Sequence, residues 1–168
     1  MAAQRKQEPS AKRGTRPHET EAEMADRHLS ELLQELRIAL PGVQVLFAFL
    51  LTVPFASRFE DLTGPQQDLY FAVLALAALA IALFIAPSAH HRILFHRHQK
   101  TFLVATATRF AIAGLLALAL AVVGSLWLIS SFLFDATTTK ITIVVAATVF
   151  GLLWFVEPLI RRLQGPEY

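Results

Sequence analysis

The sequence predicts an all-α membrane protein: a four-transmembrane-helix bundle preceded by a cytoplasmic amphipathic helix. Three observations predict it. Residues 38–57, 69–89 and 110–134 contain no Asp, Glu, Lys or Arg, and residues 141–160 contain only Glu157. A bilayer core needs about 20 mostly apolar residues in helical form. The chain is 55% hydrophobic, with a mean hydropathy of +0.50. Its basic residues lie at the two ends and in the middle connection, as topology requires of a membrane protein. The sequence pI of about 9.3 is explained by that distribution, so no nucleic-acid partner is expected. Cysteine is absent, which excludes disulfides and thiolate metal sites.

Residues 1–19 are polar and basic, with Arg5, Lys6, Lys12, Arg13 and Arg16, and predict a disordered tail. They hold no apolar stretch, so the first span itself is expected to direct insertion. A helix is predicted over residues 20–40. Thr20 and Glu23 have capping-box spacing, and Leu29, Leu32, Leu33, Leu36 and Leu40 recur at helical intervals. Glu31 and Glu35 on its polar faces argue against a purely interfacial helix, whose polar face is usually rich in Lys and Arg. Pro41 and Gly42 then predict a kink and a change of direction.

The membrane domain is predicted over residues 40–163, with spans at about 40–57, 69–87, 105–134 and 141–160 and a C-terminal tail at 164–168. The second span is expected to stop before Pro87. Small residues repeat every four positions in three spans: Ala113, Ala117, Ala121 and Ser125; Ala78, Ala82 and Ala86; Ala147 and Gly151. Such faces predict close helix packing, within the chain or against a second copy.

Orientation follows from Lys and Arg. Twelve lie in the N-terminal arm, the 88–101 connection and the C-terminus, against Arg58 and Lys140 in the other two loops. Both termini are therefore expected in the cytoplasm, with the protein multi-pass in the cell membrane. Tyr70, Trp127 and Trp154 fall near the expected boundaries, where amphipathic rings anchor.

Few polar residues enter the spans. Arg109 opens the third, where its stem can snorkel to the interface. Glu157 lies about 24 Å down the fourth helix from Ile141. Three readings of it stand: an ion pair to Arg37 across the bundle, a local pair to Arg161, or a proton-relay carboxylate. Pro158 beside it predicts an irregular helix and favours a structural role. Gln44 in the first span is expected to hydrogen-bond to a neighbouring helix or to line a pore. His90, His91, His96 and His98 crowd one connection. Metal binding, pH sensing and a plain cationic anchor are all open there, although zinc wants three or four fixed ligands.

The segments ELLQELRIALPGVQVLFAFLLTVPF (residues 31–55) and IAPSAHHRILF (residues 85–95) resemble an uncharacterised family of small actinobacterial membrane proteins. The likeness extends over roughly residues 27–163, through Trp154, Pro158 and Arg161. It implies four spans and no particular activity. Its signature positions are matched here by Glu35, Arg37, Gln44, Pro87, His91 and Arg92, whereas Pro41 is unusual within it.

No HExxH, GxSxG, Gly-rich phosphate loop or intramembrane carboxylate pair is present, so no enzyme and no cofactor are expected. The expected partners are the lipid bilayer and a second copy or another membrane protein. The expected function is structural or regulatory, through helix contacts. The alternative is an oligomeric ion or small-solute channel or transporter using Gln44 and Glu157.

Overall fold

The computed structural model describes residues 21–94 and 100–164. The expected basic tail, Thr20, His96, Arg97, His98 and residues 165–168 lie outside the described residues, as do the side chains of His91 and Arg162.

The helices are α1 (Glu21–Thr52), α2 (Gly64–Leu94), α3 (Lys100–Leu133), α4 (Ala136–Gly151) and α5 (Glu157–Gln164). Two 3-10 turns, Val53–Phe55 and Phe59–Asp61, join α1 to α2, and a π-helical turn, Leu152–Val156, joins α4 to α5. Four stretches are long and apolar enough to cross a membrane: Arg27–Phe55, Gly64–His90, Val104–Leu133 and Ala136–Arg161. The first of these merges the predicted amphipathic helix with the first span.

Two proline expectations are corrected. Residue 40 is not a helix boundary, because α1 runs unbroken through Pro41. Nor does α2 stop at Pro87, which is itself fully buried. A proline removes one backbone donor and crowds the carbonyl four residues back, but the neighbouring hydrogen bonds survive. Packing then holds the helix together on both sides. In α1 the buried residues are Leu29, Leu36, Val43 and Leu50, a seam that passes Pro41 at a constant seven-residue interval.

The same interval governs the other core helices. The buried residues of α2 include Tyr70, Val73, Ala77, Ala80, Phe84 and Pro87, alternately three and four apart. Those of α3 include Ala107, Gly114, Ala121 and Leu128, with Ala117 and Gly124 between them. A 3.5-residue repeat is the signature of left-handed supercoiled packing. The expected four-residue ladders are therefore corrected. Ala78, Ala82, Ala113 and Ala147 are exposed, while Ala117 and Ala121 are buried because they fall on the 3.5-residue seam.

α2 and α3 form the central hairpin, α1 packs against both, and α4 packs on α3. The hairpin is antiparallel. A Cβ added at Gly114 would lie 2.5 Å from the Phe84 ring, and one added at Gly124 would lie 2.5 Å from Val73 Cγ2. As α3 advances ten residues, its partner on α2 retreats eleven. Two apolar layers fill the three-helix core. One gathers Leu50, Tyr70, Val73, Ala77, Ala121 and Leu128; the other gathers Leu36, Val43, Ala80, Phe84 and Ala117. α4 buries only Thr139 and Ala146.

Gly114→Ala and Gly124→Ala are each expected to destabilise the bundle by about 1–3 kcal/mol, since Phe84 and Val73 are enclosed and cannot retreat. Reversible unfolding in detergent measures this. Phe84→Leu in the Gly114→Ala background should recover part of the loss.

Candidate functional site

The densest polar geometry lies at the end of the bundle where α1 meets α2. Pro54 has no N–H, so the Leu50 carbonyl lacks the donor that an α-helix would give it. α1 ends at Thr52 in a 3-10 turn. The Tyr70 hydroxyl, reaching across from α2, donates to that Leu50 carbonyl at 2.9 Å. Tyr70 is buried and packs edge-on against Phe59, with centroids 5.3 Å apart. The expectation of an interfacial anchor is thus corrected: its hydroxyl serves an orphaned carbonyl within the fold. The signal that could have revealed this is Pro54 itself, four residues after Leu50.

The same end is tied to α3. Gln66 Oε1 accepts from the Thr63 N–H at 2.9 Å, the return half of a capping box, and Gln66 Nε2 donates to Ser131 Oγ at 3.1 Å. The Arg58 guanidinium lies 4.6 Å from the Phe132 ring centroid and 3.6 Å from Asp61. Asp135 caps α4, accepting from the Thr137 N–H at 2.9 Å and the Thr138 hydroxyl at 2.6 Å. The Thr138 hydroxyl, and then the Thr137 N–H, hold its carboxyl below the usual carboxylate range. Thr139 Oγ1 is buried without a hydrogen-bond partner, alone in this among the described side chains.

At the opposite end, Pro158 removes the donor that would meet the Trp154 carbonyl. The helix widens there into the π turn, where the Glu157 N–H bonds to the Leu152 carbonyl. Glu157 pairs with Arg161 at 2.6 Å, both side chains being more than half exposed. The cross-bundle pair with Arg37 is corrected: α1 packs on α2 and α3, and among the described residues no ion pair joins Arg37 to Glu157. The local pair prevails because one helical turn brings the two side chains together without a second helix. An open apolar depression of about 370 Å3 runs beside this pair, along Leu152, Val156 and Ile160.

The remaining expected residues do not converge. Glu35, Arg37, Arg92 and Arg109 are all exposed. His90 packs on Phe110, with centroids 5.2 Å apart, and its Nδ1 lies 2.9 Å from the Ala86 carbonyl. A carbonyl only accepts, so Nδ1 carries the proton. Gln44 is exposed and, among the described residues, makes no hydrogen bond. The expected bond to a neighbouring helix is absent because Gln44 follows Val43 by one position, which turns it about 100° away from the seam. Among the described residues no three His, Asp or Glu side chains gather as a metal ion would need.

Tyr70→Phe should lower stability by about 0.6–2 kcal/mol in detergent, the range for interhelical hydrogen bonds, while preserving the ring packing. Asp135 gives a pH signature. Its folded-state value is depressed, so the cap stabilises fully above the unfolded carboxylate value of about 4 and fades as pH falls through the lower folded value. The melting-temperature gap between the native chain and Asp135→Ala should hold near neutrality and close below about pH 4.

No curated protein and no solved structure matches the chain. A family model does, over residues 18–158, reaching from the start of α1 to the glutamate and proline of the π-turn junction. With its four membrane-length helices, the chain belongs to DUF6328, a family of unknown function.

Proposed function

We propose that this protein is a non-catalytic, multi-pass component of the cell membrane that acts structurally or as a regulator, through lateral contacts of its helices with other membrane-embedded chains. One observation carries the reading: the two core clusters are apolar, while Gln44 and Glu157, the residues a conduit would use, face outward on different helices. A conduit needs polar groups that converge on a common path. Here the centre is filled by Val43, Val73, Ala77, Ala80 and Phe84. The fourth span adds support, since only Thr139 and Ala146 of it are buried within the chain. Lipid covers such a face by default, and a partner helix fits it equally well.

Both termini belong on the cytoplasmic side in this reading. Arg27, Arg37, Arg92, Arg109 and Arg161 mark one end of the bundle, against Arg58 and Lys140 at the other. The chain has no native cysteine, so single cysteines report topology cleanly. Ser57→Cys should react with an impermeant maleimide added outside intact cells, and Gln164→Cys should react only after lysis. The reverse pattern would invert the orientation.

Purified protein in liposomes should leave ion and small-solute flux at the background of empty vesicles. Flux above background that drops with Gln44→Leu or Glu157→Gln would replace this reading with the channel alternative.

A further inference from the structure

Gln44 is the polar side chain of this fold whose surroundings match it least. It lies eleven residues, about 17 Å, from the Phe55 end of the first span, close to the middle of a hydrocarbon core about 30 Å thick. Its carboxamide offers two donors and an oxygen with two lone pairs. None of them bonds to another described residue. Two methylenes are too short to carry the amide to the interface, as the longer stems of Lys and Arg can. In lipid there is no water to satisfy it instead.

Its neighbours on the outward face of α1 are ordered. Arg37, Pro41, Gln44, Ala48, Leu51 and Phe55 are all exposed and alternate at four and three residues. That is the spacing of a left-handed packing seam, on the side of α1 away from the seam through Leu36, Val43 and Leu50. Pro41 and Ala48, one turn to either side of Gln44, are small enough for a second backbone to approach. α1 thus carries one seam that is filled and a wider exposed face, on which this stripe is the one that holds Gln44.

We propose that this second seam binds the same seam of a second copy of the chain, with the two Gln44 carboxamides hydrogen-bonded across a two-fold axis. The inference rests on the association reading above and names its partner. A carboxamide is at once donor and acceptor, so the group that best satisfies Gln44 is another Gln44 at the same depth. A two-fold contact brings identical residues together in this way. A hydrocarbon chain cannot supply the bonds, and a charged partner would bring its own desolvation cost to the midplane.

Cysteine cross-linking in membranes containing the full chain tests this. Ala48→Cys should oxidise to a covalent dimer well above the level of Val145→Cys, an exposed position on α4. Adding Gln44→Leu should cut the dimer about five- to tenfold, as loss of an interhelical polar contact does, and Gln44→Asn should retain it. Because Gln44 is exposed and hydrogen-bonds to no other described residue, the melting temperature of the Gln44→Leu monomer in detergent should stay unchanged, which separates lost association from lost folding. Equal cross-linking at Ala48 and Val145, or an Ala48→Cys dimer indifferent to Gln44→Leu, overturns the inference. A strong dimer at Val145 alone overturns it too, yet leaves association itself standing through α4. Gln44-dependent flux in liposomes would remove both readings at once.

Discussion

The close approach of α2 to α3 is the constraint on which the rest of the bundle depends. In lipid, burying apolar surface gives helices little reason to associate, because the tails are as apolar as Leu. Dispersion contacts at short range have to supply it, and they need small residues at the contact. Gly114 and Gly124 provide that room for Phe84 and Val73. Their spacing sets the antiparallel register, and the register in turn aligns Gln66 with Ser131 and His90 with Phe110. The groove so formed receives α1. α4, which packs on α3 alone, is peripheral by the same logic.

Beyond Pro65 in the first turn of α2, where a missing N–H costs no helical bond, four prolines punctuate the spans, and each is accommodated by different means. Pro41 sits on an exposed face, so the crowding it causes falls where nothing is packed. Pro87 is enclosed, and its ring fills a position on the α2 seam. Pro54 ends its helix and leaves a carbonyl that Tyr70 satisfies from the next helix. Pro158 is met by a change of helical pitch. A backbone group left open in hydrocarbon is costly, and these answers (an unpacked face, ring packing, a donated hydroxyl, a widened turn) are among those available to a membrane helix. The Tyr70 hydroxyl therefore both repairs α1 and fastens it to α2.

Polarity in the spans is arranged around the outside of the bundle. Glu157 and Arg161 neutralise each other within one turn, and Gln44 stands alone at mid-depth on α1. The two core clusters are made of alkyl and aromatic side chains, and the buried polar groups are hydroxyls, of Tyr70, Ser130 and Thr139. The outward faces have different characters: a polar seam on α1, an apolar surface on α4, and an ion pair beside an open depression at α5.

Length, hydropathy and charge placement were enough to identify four membrane-length helices, because crossing hydrocarbon demands about 20 apolar residues whatever the neighbours are. The local pair of Glu157 with Arg161 was legible for a similar reason: it needs only helical pitch. Seam choice was not. Ala78 and Ala82 look as suited to packing as Ala77 and Ala80, and a four-residue period looks as plausible as 3.5 until two helices are laid together. Pro87 reads as a helix end from sequence because local rules count the lost hydrogen bond and not the packing on either side. Tyr70 reads as an anchor until Leu50 is seen opposite it. What the chain alone determined is its solvent, since each apolar run declares that independently. What only the tertiary structure decided is which face of each helix meets another, because that depends on pairs of residues remote in sequence, and so on where Gln44 is left pointing.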